Sequence, residues 1–99
     1  MTDPSPSIRV VWYIPAMLRN NSNGQAEIEF DIQTPTYQQA FKYLVELYPG
    51  FAEHFDVESA RPRSYLSIFH NNEQLTDFSA ATFLRDRDEI LIVPALAGG

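Results

Sequence analysis

Residues 26–50, AEIEFDIQTPTYQQAFKYLVELYPG, change period part-way along. Over 26–32 the apolar residues Ala26, Ile28, Phe30 and Ile32 alternate strictly with Glu27, Glu29 and Asp31, the pattern of a strand with one face buried. From Tyr37 the spacing becomes three-to-four: Tyr37, Ala40, Phe41, Leu44, Val45 and Tyr48 fall on one stripe of a helix. Thr36 and Gln39 have the spacing of an N-terminal capping box, and Pro49 and Gly50 stop the helix. A half-buried strand followed at once by an amphipathic helix needs a shared core, so the helix is expected on the apolar face of a sheet.

Upstream, IRVVWYI alternates Ile8, Val10, Trp12 and Ile14 against Arg9, Val11 and Tyr13, and Pro15 removes the next ladder donor. The NNSNGQ stretch is turn chemistry, so the first two strands are read as a hairpin. Downstream, FAEHF suggests one helical turn followed by an irregular loop to residue 64. YLSIF reads as a third strand, HNNEQL as a turn into a short strand, TDFSAATFL as a loop with a single turn, and DEILIV as the last strand. One helix against a mixed sheet is an α+β arrangement, and this element order suits a β-grasp with the main helix packed on one face. The domain is expected over residues 8–93, with a Pro/Ser-rich disordered lead-in at 1–7 and a flexible tail at 94–99.

Composition narrows the function. Ninety-nine residues with 44% apolar content suit one compact core. The formal charge of -6, with basic residues that never form a run, excludes the electrostatic footprint of a nucleic-acid or anionic-membrane binder and favours a basic protein partner. Without cysteine there is no disulfide framework, thiolate nucleophile or zinc knuckle. No apolar window is long enough for a membrane span, and no signal sequence is evident, so a cytoplasmic location is expected.

His54 and His70 lie in different segments and are read as surface or turn residues rather than metal ligands; no metal site is expected. Asp86, Asp88 and Glu89, interleaved with Arg85 and Arg87, are read as a solvated turn. The four glycines make no phosphate-cradling loop, and too few polar groups converge for an enzyme acting alone.

The stretch DEILIVPALAGG is different. Pro94 ends the strand, ALA offers small apolar side chains, and Gly98 and Gly99 have no Cβ to obstruct a narrow tunnel. A rigid domain presenting such a filament is suited to insert its terminal carboxylate into another protein's active site.

With its first strand IRVVWYIPAMLR, its NGQ turn, its helix ending LYPGF, its late NNEQL turn and its LRDRDEILIVPALAGG ending, the chain resembles the ubiquitin-like sulfur carriers of the MoaD/ThiS family over residues 8–99. The resemblance implies a β-grasp, adenylation of the C-terminal carboxylate by an ATP-dependent activating enzyme, and its conversion to a thiocarboxylate. Gly99 would then bear the thiocarboxylate, Gly98 would give tunnel access, and Leu96 and Ala97 would line the threaded tail.

The spare sheet face would dock on the activating enzyme and on a sulfur-acceptor synthase. Its apolar candidates are Val11, Tyr13, Leu91 and Val93. No bound cofactor is implied, ATP being used by the partner. IPAMLRNNSNGQ and the 51–64 segment look more similar to carriers for cysteine biosynthesis or siderophore pathways than to the shorter molybdopterin synthase subunit. Two alternatives stand beside this: a protein modifier forming isopeptide bonds through Gly99, and a non-reactive interaction module whose sheet face binds a partner and whose tail is idle.

Overall fold

The alternation at the start of the chain builds the hairpin it predicts. The computed structural model describes residues 7–78 and 82–95. Strand β1 (Ile8–Tyr13) pairs antiparallel with β2 (Glu27–Ile32), Ile8 opposite Ile32 and Tyr13 opposite Glu27. Val10, Trp12, Ile28 and Ile32 point into the core. Ala26, expected on the same face, lies just before the strand and is exposed. The link between the strands is more than a turn, because Ala16–Ser22 forms a 3-10 helix that buries Leu18. Asn23 and Gly24, both left-handed at φ 56 and 82, then reverse the chain into β2.

The helix α1 (Tyr37–Leu47) starts where Thr36 Oγ1 accepts the Gln39 backbone N–H at 3.2 Å. Tyr37, Ala40, Phe41 and Leu44 are buried against the sheet. Its stripe continues past the helix end into a second 3-10 helix, Pro49–His54, which places Phe51 in the core. The segment after it, expected to be irregular, is a small hairpin of β3 (Phe55–Asp56) and β4 (Arg61–Pro62). Burial explains its order. Phe55 packs on Phe41 with ring centroids 4.9 Å apart, and the buried Tyr37 hydroxyl donates to the Ala60 carbonyl at 2.8 Å.

Strand β5 (Leu66–His70) turns through Asn71 and Asn72 into β6 (Glu73–Leu75). Both asparagines have positive φ, which a two-residue hairpin loop requires. Phe78 and Leu84 are buried in the connection that follows; the helical turn expected there falls partly on residues 79–81, outside the described residues. The last strand, β7 (Asp88–Pro94), enters the middle of the sheet, giving the order β2-β1-β7-β5-β6. It runs parallel to β1 and antiparallel to β5. This is a mixed five-stranded sheet with one face covered by α1, as the sequence predicts. Among the described residues no helix is long and apolar enough to cross a membrane.

The Tyr37 hydroxyl ties the helix to the β3–β4 hairpin, and burial raises its pKa, so it stays a neutral donor. Tyr37→Phe is expected to cost about 1–3 kcal/mol in urea unfolding, because the Ala60 carbonyl loses its buried partner.

Candidate functional site

The strand that carries the tail is fixed at both ends by polar contacts. At its start the chain turns through Arg85–Asp88. Asp86 Oδ1 accepts the Arg9 backbone N–H at 2.8 Å, and the Arg87 N–H donates to the Arg9 carbonyl at 2.7 Å. Arg87 takes a left-handed φ of 71 to make this possible.

Asp88 is not the solvated turn residue that its charged neighbours suggest. Its carboxylate is buried and accepts from the Asn71 Nδ2, the His70 Nε2 and the Arg85 backbone N–H, each at 2.8 Å. Burial by itself would raise its pKa; the hydrogen bonds from Asn71, His70 and Arg85 outweigh that and hold it below the usual carboxylate range. The sequence lacks any signal for this pairing, because His70 and Asp88 meet only when β5 and β7 are side by side. His54 is likewise engaged, its Nδ1 lying 2.7 Å from the Tyr65 hydroxyl.

At the other end, Pro94 pairs with Leu66, and the Ala95 N–H donates to the Tyr65 carbonyl at 2.9 Å. Ordered backbone is thus delivered to the sheet's end before the tail begins. Leu96, Ala97, Gly98 and Gly99 lie outside the described residues.

The helix-free sheet face holds the four apolar residues expected there. Val11, Tyr13, Leu91 and Val93 are all half-buried, while Val10, Trp12, Ile90 and Ile92 beside them in sequence face the core. Tyr13 stands beside Leu91 in the parallel pair, and Phe69 stands opposite Leu91 on β5. Phe69 is a member of this face that the sequence reading missed. The alternation Leu66, Ile68 inward and Ser67, Phe69 outward contained the signal.

Beside Tyr13, Leu91 and Val93, a shallow groove of about 250 Å³ opens at the end of the sheet, with Glu27 and Arg19 on its rim. Carboxylates border the apolar patch on the β2 side. Arg9 Nε and Nη1 reach Asp31 Oδ1 and Glu29 Oε1 at 3.1 and 3.2 Å, leaving the local balance negative. The Tyr13 hydroxyl donates to Glu89 Oε2 at 3.3 Å, and its pKa is raised by partial burial and by the nearby charges of Glu89 and Glu27.

No protein-family model matches the chain, and no curated protein matches it. Solved structures do. CysO of Mycobacterium tuberculosis is similar at 26% identity, over 88% of this chain and 99% of that one, with a TM-score of 0.71. The fold is a β-grasp. Small archaeal modifier protein 1 of Methanosarcina acetivorans shares it at 22% identity, over 95% of this chain and 99% of that one, TM-score 0.72. So does a chain of the BexX/CysO complex of Amycolatopsis orientalis, at 22% identity over 91% of this β-grasp chain and 99% of that one, TM-score 0.69. The likeness to ubiquitin-like sulfur carriers that the residues suggest is matched by these structural neighbours.

Because the Asp88 pKa is lowered on folding, its contribution to stability is present above the unfolded-state value near 4 and is lost as pH falls through the folded value. Asp88→Asn is expected to destabilise by about 1–3 kcal/mol at neutral pH. The gap between variant and parent in urea unfolding should close as the pH falls below about 4. A gap independent of pH would contradict a charged Asp88.

Proposed function

We propose that the chain is a sulfur carrier whose Gly99 carboxylate is adenylated by an ATP-dependent activating enzyme and then converted to a thiocarboxylate. The carboxylate oxygen attacks the α-phosphorus of ATP and pyrophosphate leaves. Hydrosulfide released by a sulfur donor then attacks the acyl carbon of the resulting anhydride, the acyl–phosphate C–O bond breaks and AMP departs, leaving a thiocarboxylate with one sulfur in place of one oxygen. The carrier supplies no base or metal to these steps. Its part is presentation, with Gly98 allowing close backbone passage and Leu96 and Ala97 lining the partner's tunnel.

The observation that carries this reading is the placement of the last strand. It is held between β1 and β5, clamped at Asp88, and carries Leu91 and Val93 of the apolar patch up to Ala95, whose N–H is still held by the Tyr65 carbonyl. An enzyme that threads the tail therefore meets that patch at the same time. Docking there by the activating enzyme and by a sulfur-acceptor synthase accounts for both the half-buried apolar residues and their acidic border. The likeness to a chain of the BexX/CysO complex supports a partner-dependent role of this kind. The reaction belongs in the cytoplasm, where ATP is available, and serves biosynthesis of cysteine, a related sulfur metabolite or molybdopterin.

A modifier reading draws on the likeness to an archaeal modifier protein. In it, a lysine amine takes the activated acyl group as an isopeptide. Denaturing electrophoresis separates the two, because conjugate ladders that survive thiol reductant belong to modification.

Incubation with the activating enzyme, ATP and a sulfur donor should change the intact mass by exchange of one oxygen for sulfur, located at Gly99. Deleting Gly99 should abolish the exchange while leaving the thermal transition in place, since the core described runs from Val10 to Ile92. Leu91→Glu should raise the KM of the activating enzyme for the carrier about tenfold, with the carrier still folded, because it places a charge in the docking patch.

A further inference from the structure

The edge of the sheet farthest from β2 has the opposite electrostatic character. Strand β6 covers β5 only from Ile68 to His70, so the edge at Leu66 and Ser67 opens into a cleft of about 430 Å³. Arg61 and Arg63 stand on one wall, Gln74 and Thr76 line the other side, and Leu75 and Phe78 add apolar surface. In a chain of net charge -6, a positive cleft is a departure. Arg9 and Arg87 are paired with carboxylates, whereas Arg61 and Arg63 form no ion pair among the described residues. Arg61 is held in place by packing instead, its guanidinium over the Phe78 ring at 5.3 Å, an arrangement that leaves its N–H fork available.

These features fit one kind of ligand better than others. The Leu66 N–H at this edge is already taken by the Arg63 carbonyl at 2.9 Å, so recognition here rests on side chains and not on an added strand. Leu75 and Phe78 offer apolar contact, and beside them two guanidinium forks donate to carboxylates. A nucleic acid is disfavoured, because the net negative charge of the domain repels a polyanion. We infer that the cleft is a docking site for an acidic segment of a partner protein, its carboxylates held by Arg61 and Arg63 and its apolar side chains against Leu75 and Phe78. This goes beyond tail chemistry and does not require it. The site does adjoin the root of the tail: the corner that supplies Arg63 also supplies the Tyr65 carbonyl that binds Ala95.

The test is a titration of the isotope-labelled full chain with the blocked hexapeptide acetyl-Glu-Val-Glu-Val-Glu-Val-amide, followed by backbone amide shifts. Saturable shifts confined to residues 61–68 and 74–78 are expected, weakening as salt is raised. Arg63→Glu should reduce affinity about tenfold, as loss of a charge-assisted contact to a carboxylate implies. Arg63 is exposed, so folding should persist, and Arg63→Ser gives the same reading with a milder change. The peptide with Gln in place of each Glu should not bind. The inference is overturned if no shift saturates at millimolar peptide, if shifts map to the Tyr13–Leu91 face, or if Arg63→Glu leaves affinity unchanged. It is also overturned if inorganic phosphate alone reproduces the shifts, which would make this a small-anion site.

Discussion

The last strand lies in the middle of the sheet, hydrogen-bonded in parallel to β1 on one side and antiparallel to β5 on the other, and the rest of the architecture depends on that insertion. Without it the β1–β2 hairpin and the β5–β6 hairpin share no ladder, and α1 has no continuous floor to cover. Ile90 and Ile92 fill that floor from β7, beside Val10 and Trp12 from β1 and Ile68 from β5. The parallel pairing joins segments about 80 residues apart in the chain, a contact whose loop-closure entropy must be met before it is rewarded. Burial of two full isoleucine side chains and of the residues they meet supplies that reward.

The same insertion sets where the chain leaves the sheet. A tail attached to a peripheral strand would inherit the mobility of an edge; this one continues from the central strand, and Pro94 and Ala95 are still engaged with Leu66 and Tyr65. The buried Asp88 carboxylate fixes the other end by joining β7 to the Asn71 turn and to its own preceding turn. An ionised group at that depth is tolerable because three donors replace its lost hydration. Charge is also divided across the molecule. Carboxylates border the apolar outer face on the β2 side, while Arg61 and Arg63 flank the opposite edge, so the two surfaces differ in sign.

How far the residues could be read depended on whether each signal was local. Alternation in Ile8–Ile14, strict alternation in Glu27–Ile32, and the helical stripe from Tyr37 to Leu44 are properties of neighbouring residues, and each produced the element it indicated. The β3–β4 hairpin escaped notice because two-residue strands carry no period; what orders them is Phe55 on Phe41 and the Tyr37 hydroxyl on the Ala60 carbonyl. The Ala16–Ser22 helix was hidden in the same way, since its order comes from burying Leu18 against the fold.

By itself, the sequence separated the two faces of every long strand, because a period of two sorts side chains without knowledge of neighbours, but with apolar residues on both faces of β1 and β7 it left open which face would turn outward. Only the tertiary structure decided which distant groups became partners. It placed Phe69 beside Leu91, turned Asp88 from an expected solvated residue into a buried clamp with His70, and left Arg61 and Arg63 together at an uncovered edge. Such pairings are set by strand order and register, which arise from competition among long-range contacts and leave no mark on the spacing of residues within a single segment.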